Sequence, residues 1–251
     1  MLIVALALAA LIGVSLGLLG SGGSIITLPV LVYVAKVPVQ PAVGMSLVIV
    51  GVTSTLGWLL NLRQGNFDLR AAIFLSLSGM VGAFAGAKFT HLVSPAALML
   101  LFGALMLVVG ARMLGNGELK AVFHECRPVR CLAVGVAVGG LTGFLGVGGG
   151  FLILPALVLF AGLEMKPAIG TSLAIIAINC VGGLAGQLRY GNFDWRLTLG
   201  FSLTACAGMF AGVMLATRLS AAILRRGFGW CVVVLGVALV AWNLTGLIHR
   251  Q

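Results

Sequence analysis

Two glycine clusters mark where chemistry is to be sought in this chain: Gly20, Gly22 and Gly23 with Ser24, and Gly146, Gly148, Gly149 and Gly150. Each interrupts a long apolar segment. Backbone N–H groups freed by such a break cannot be satisfied by lipid, so they need protein, water or a ligand. An apolar helix starting just beyond, near Ile25 or Phe151, would aim its partly positive N-terminus at the same place, which suits an anion. Polar residues lie nearby inside apolar stretches: Ser46, Thr53, Ser54 and Thr55, and later Thr171, Ser172, Asn179 and Gln187. Hydroxyl and amide groups can replace an oxyanion's hydration shell without a fixed charge. Ser46 and Ser172 stand out because each follows a matched glycine, Gly44 or Gly170.

The candidate substrate-binding set is therefore Gly20, Gly22, Gly23, Ser24, Ser46, Gly146, Gly148, Gly149, Gly150 and Ser172. Arg63, Asn179, Gln187 and Arg189 are candidates for the mouth of a pathway. Each has a plainer reading. Glycines let membrane helices pack closely, and Ser and Thr hydroxyls often bond carbonyls of their own helix. The blocks Arg63 to Arg70 and Arg189 to Arg196 read as helix junctions, in which Gly65 or Gly191 ends one helix and Asp68 or Asp194 caps the next. Gly79, Gly82 and Gly86, with Gly208 and Gly212, fall on one helix face and read as packing positions.

The elements that must position these residues are duplicated. Gly17 to Ser24 and Pro29 recur as Gly143 to Gly150 and Pro155, an offset of 126 residues. The same offset relates Pro41-Ala-Val-Gly-Met-Ser-Leu47 to Pro167-Ala-Ile-Gly-Thr-Ser-Leu173, and Arg63-Gln-Gly-Asn-Phe-Asp-Leu-Arg70 to Arg189-Tyr-Gly-Asn-Phe-Asp-Trp-Arg196. A tandem membrane module with a glycine break in each copy is transporter organisation. With 61% hydrophobic and 8% charged residues among 251, the chain cannot coat a soluble globule. The expectation is an all-α polytopic integral membrane protein with about eight main spans: repeat 1 over 1–114, a cytoplasmic linker over 115–130 and repeat 2 over 131–251.

Apolar segments run from about Leu2 to Leu19, Ile25 to Val34, Ala42 to Leu62, Leu69 to Phe89 and Pro95 to Met113, each with a counterpart. A single helix from Leu2 to Lys36 would be about 52 Å long against a core of about 30 Å. A hairpin or re-entrant pair breaking at Gly20 to Ser24 is expected instead. Three further spans then invert the second copy, so that the two breaks point at each other near mid-depth. Charge leans the same way, since inversion places ten Lys and Arg on the linker side and five opposite, against nine and six for parallel copies. Inversion leaves the termini outside.

Other functions lack support. Glu118 and Glu125 lie in the linker and Asp68, Asp194 and Glu164 at span ends, which disfavours a carboxylate relay or a cation pathway. The five cysteines form no zinc or disulfide pattern, and no catalytic constellation or phosphate-binding loop occurs. The net charge of +10 sits in short loops and is no nucleic-acid footprint. The expected partners are a small anionic substrate, bilayer lipid and a coupling proton or sodium ion. A homo-oligomer is compatible with the sequence, and no cofactor is implied.

Taken in order, the paired Gly-x-x-Gly-x-Gly-Gly-x motifs, the Pro-Ala-x-Gly-x-Ser-Leu motifs and the Gly-Asn-Phe-Asp junctions resemble the TauE/SafE sulfite exporter family, also called the toluene sulfonate uptake permease family. The resemblance spans essentially everything but the linker. It implies a prokaryotic inner-membrane carrier, or an organellar relative, for small sulfur-containing or organic anions such as sulfite, sulfonates, sulfoacetate or thiosulfate. Alternating access would come from rocking of one repeat against the other. A passive anion channel of the same fold is the alternative, and a non-transporting scaffold a weaker one.

Overall fold

The computed structural model describes residues 2–87, 95–115, 128–145, 150–187 and 194–248. The described residues are helical and contain no strand. The first half comprises α1 (Leu2–Leu19), α2 (Gly22–Pro29, running on as a π-helical turn Val30–Val34), α3 (Val39–Arg63), α4 (Leu69–Ala87) and α5 (Pro95–Leu114). The second comprises α6 (Pro128–Leu145), α7 (Gly150–Pro155, running on as Ala156–Phe160), α8 (Met165–Gln187), α9 (Trp195–Arg218) and α10 (Ala221–Ile248). The order repeats element by element. Helix α6 takes in residues 128–130 at the end of the expected linker, and 116–127 fall outside the described residues.

Among the described residues, four helices are long and apolar enough to cross a membrane: Pro41–Arg63, Met165–Leu184, Trp195–Arg218 and Ala221–Ala238. Shorter apolar helices cover Val4–Leu19, Leu69–Gly82, Gly103–Leu114 and Leu132–Leu141. Their outward faces are apolar, as at Leu77, Met80, Val81, Phe84 and Leu203, while Thr27, Thr53, Ser54, Thr171 and Ser172 are fully buried. That inversion of the soluble pattern suits a lipid solvent.

Local rules explain the breaks. Gly20 adopts φ 71°, a left-handed conformation that ends α1. The chain then doubles back, because a Cβ on Gly23 would lie 2.6 Å from the Ile12 carbonyl and from Leu16 Cγ. Helix α2 with its π-helical turn, 13 residues in all, is about 19 Å long, too short to cross. Helix α2 therefore folds back along α1 as a short hairpin broken at Gly20. Pro29 and Pro155 each stand just before the switch to π-helix, where the missing proline N–H shifts the ladder.

Packing couples the halves. Helix α1 lies parallel to α9, with a Cβ on Gly13 directed at Ala205 and one on Gly208 at Ala10; α4 and α6 repeat this through Gly139 at Gly79 and Gly82 at Val136. These two sets are related by the 126-residue offset. Helices α3 and α8, counterparts of each other, run antiparallel, with Gly57 against Leu173 and Gly183 against Leu47. Helices α5 and α10 do likewise, with Gly103 against Val240 and Gly229 against Leu114. Thus Gly79, Gly82, Gly208 and Gly212 serve close packing, as expected of small residues on one face. The fourth helix of each half seats the first helix of the other.

Candidate functional site

The first break is held from the opposite half. Gly20 N–H donates to the Leu16 carbonyl at 2.8 Å. The Ser172 hydroxyl is shared between the carbonyls of Ile169 at 2.8 Å and Gly20 at 3.3 Å. Just before it, Thr171 Oγ1 accepts from the Asp68 N–H at 3.0 Å, and Gly170 lies so close to the Asn66 carbonyl that no Cβ would fit. Three successive residues of one Pro-Ala-x-Gly-x-Ser-Leu motif therefore clamp the other half's glycine break and its Gly-Asn-Phe-Asp junction. The junction itself follows capping rules. Gly65 has φ 73°, and Asp68 Oδ1 accepts from Ala71 N–H at 2.9 Å. Asp194 Oδ1 accepts from Leu197 N–H at 3.1 Å in the same way.

The structure brings Gly20 and Ser172 together, and Gly23 packs on α1. Gly22 opens α2, with Ser24 in its first turn, and the buried Ser21 makes no side-chain cap there. Ser46 is separate. It is half-buried and its hydroxyl donates to the Val43 carbonyl at 2.8 Å. In the antiparallel pair, the α3 residue level with Ser172 is Trp58; Ser46 lies twelve positions earlier, about 18 Å along the helix. Ser46 and Ser172 thus stand well apart along the α3–α8 pair rather than at one point. Arg63 is exposed at the end of α3 and Asn179 is exposed on α8. Gly150 opens α7 and Gln187 closes α8. Gly146, Gly148, Gly149, Arg189 and Gly191 lie outside the described residues.

Hydroxyls divide into two groups. Thr27, Thr53 and Thr55 bond carbonyls of their own helices at 2.6 to 2.9 Å, the ordinary membrane arrangement. By contrast, the buried Ser54, Ser76 and Ser202 hydroxyls and the Trp58 indole N–H have no hydrogen-bond partner among the described residues. A buried polar group left unpaired costs about 1–3 kcal/mol. Ser76 and Ser202 are related by the same 126-residue offset, a signal available in the sequence, whereas none singles out Trp58. No charged residue occurs between Lys36 and Arg63 or between Lys166 and Arg189, so these stretches of α3 and α8 offer a ligand dipoles only.

The described chain is helical, with two interlocked apolar halves and a glycine break after its first helix. Residues 5–239 match the family described as "Sulfite exporter TauE/SafE". The chain belongs to the TauE/SafE sulfite exporter family. Among its relatives, a "Probable membrane transporter protein" of Xylella fastidiosa strain Temecula1 is 37% identical over 251 residues, covering 95% of each chain. "Probable membrane transporter protein YdhB" of Bacillus subtilis is 25% identical over 237 residues, covering 92% of this chain and 96% of the relative. An archaeal relative from Methanocaldococcus jannaschii, also named a probable membrane transporter protein, is 26% identical over 202 residues, covering 76% and 75%. This TauE/SafE protein is an integral membrane transporter.

Proposed function

We propose that this family member is a secondary transporter moving a small sulfur-containing or organic anion across the bacterial cytoplasmic membrane by alternating access. Its repeats are inverted. Antiparallel packing of the counterparts α3 with α8 and α5 with α10 supports this, because parallel repeats would set counterpart helices parallel. The linker side, richer in Lys and Arg, is cytoplasmic and both termini are outside.

The observation that carries alternating access is a difference between matched positions. Every residue from Ala168 to Ala177 is buried, whereas the equivalents Val43, Ser46, Leu47, Val48 and Gly51 are half exposed. Symmetric halves in unequal environments are what one state of a two-state carrier requires: closed toward the linker, open on the other side. The moving units are not the repeats as such. Because α1 interlocks with α9 and α6 with α4, each rigid unit takes helices from both halves, and these units rock about α3 and α8.

Reconstitution tests the reading. Proteoliposomes should take up sulfite or an alkanesulfonate saturably, and anion preloaded inside should accelerate uptake by counterflow. Flux proportional to concentration without counterflow would mean a channel, and no flux of any anion would refute transport of this class. A periplasm-specific reporter at the C-terminus should be active, whereas activity of a cytoplasm-specific reporter there would rule out inversion.

A further inference from the structure

We propose that the Ser54 hydroxyl and the Trp58 indole N–H are the side-chain donors of the substrate site and, with the first amides of α2, select a singly charged oxyanion. The proposal rests on the anion-transport reading above and adds which residues hold the anion and which charge they accept.

Both residues sit on one stripe of α3. Leu47 and Gly51 lie on the same stripe and face Gly183 and Cys180 of α8, and Ser54 and Trp58 continue it at intervals of three and four residues. Ser54 is 0% exposed, and neither its hydroxyl nor the Trp58 N–H finds a protein acceptor among the described residues. Two unsatisfied donors one turn apart within the bilayer are costly unless something accepts from them. The Trp58 ring is fixed against Phe67, with centroids 5.8 Å apart, so its N–H is held in place.

The end of α2 reaches the same level. Trp58 is level with Ser172, which bonds Gly20. From Gly20 the chain turns back, and Gly23 packs beside Ile12, Ser15 and Leu16. That puts the first amides of α2 roughly one turn nearer mid-depth than Gly20, at the height of Ser54 to Trp58. Helix α2 packs on α3, and Ser21 leaves its N-terminal amides without a side-chain cap. Two independent donor sets, backbone and side chain, therefore share one height beside α3. All are donors to an anion, and none is a cation.

The elements that supply these donors carry no countercharge, since no charged residue precedes Lys36 or falls between Lys36 and Arg63, and that bears on valence. The cost of bringing an ion into a low-dielectric site grows with the square of its charge, and dipoles alone offset it far better for a monoanion than for a dianion. A bisulfite or alkanesulfonate ion fits that demand, while sulfate does not.

The test uses purified full-length protein with thermal stabilisation as the binding readout. Methanesulfonate and bisulfite should stabilise the protein at concentrations where sulfate does nothing. Ser54→Ala and Trp58→Phe should each raise the half-saturating concentration about tenfold or more, the loss expected for one hydrogen bond to a charged ligand. Should either variant fail to fold, a Trp195→Phe, Trp230→Phe, Trp242→Phe protein keeps Trp58 as its one tryptophan, and methanesulfonate should shift its emission saturably. Unchanged affinity in both folded variants, or no emission response where the protein does bind anion, overturns the donor assignment. Equal stabilisation by sulfate overturns the charge selection. Failure of every anion to bind the parent protein instead defeats the transport reading.

Discussion

The first half of α8 and the first half of α3 occupy equivalent places in their repeats and carry nearly the same motif, yet one is enclosed and the other is not. The difference lies in what each meets. Thr171 ties α8 to the Asp68 amide, Met209 fills the space beside Gly57, and Trp58 packs on Phe67. Their counterparts are Met45, Ala83 and Leu184, which offer no acceptor, less volume and no aromatic ring. A duplicated sequence can therefore bury one of two matched segments and leave the other half exposed, with the asymmetry written into a few side chains.

The comparison breaks first at Gly20. Gly20→Val demands a left-handed β-branched residue whose Cβ would lie 2.7 Å from Ser172 Oγ, and it should cost about 3 kcal/mol, seen as a large fall in detergent melting temperature. A melting temperature unchanged from the parent would mean that the break is not held by α8. Next comes Thr171→Val, which strands the Asp68 amide at a cost of about 1–2 kcal/mol and should loosen the closed side. Met45→Thr supplies the missing acceptor to the other half and should act oppositely, lowering thiol labelling on the open side.

Where the halves agree, matched substitutions should agree too. Asp68→Ala and Asp194→Ala each remove an N-cap and should cost about 1 kcal/mol apiece by thermal unfolding. The smallest contrast is the most specific to asymmetry. A Cβ on Gly57 meets Met209 at 2.8 Å and Leu173 at 3.0 Å, while one on Gly183 meets only Leu47 at 3.3 Å. Gly57→Ala should destabilise by about 1 kcal/mol and Gly183→Ala by less than about 0.5 kcal/mol. Equal costs would mean equal packing on both sides.

Much of this was legible in the residues. Helix limits follow the apolar runs closely, as in α1 at Leu2–Leu19 and α5 at Pro95–Leu114 against the expected Met113. The Gly-Asn-Phe-Asp junctions behave as caps because capping is local chemistry. Partners across the fold were not legible. A glycine stripe says that a helix face is packed but not against which helix, so the exchange of α1 onto α9 and α6 onto α4 had no signature. Nor could matching serines declare their separation: Ser46 and Ser172 have the same neighbours in sequence and different ones in space. Ser54 is legible as a polar residue in an apolar span, whereas nothing in the sequence separates the Trp58 donor from an ordinary apolar side chain.

The account depends most on one side being open while its counterpart is closed. In a protein whose native cysteines are replaced by alanine, Val48→Cys and Ala174→Cys place thiols at matched positions, one half exposed and the other buried. A membrane-impermeant thiol reagent added outside should label Cys at 48 and leave Cys at 174 unmodified, and the same reagent applied from the linker side should reach neither. Labelling of both positions from their own sides at similar rates would contradict the asymmetry and, with it, the alternating-access account.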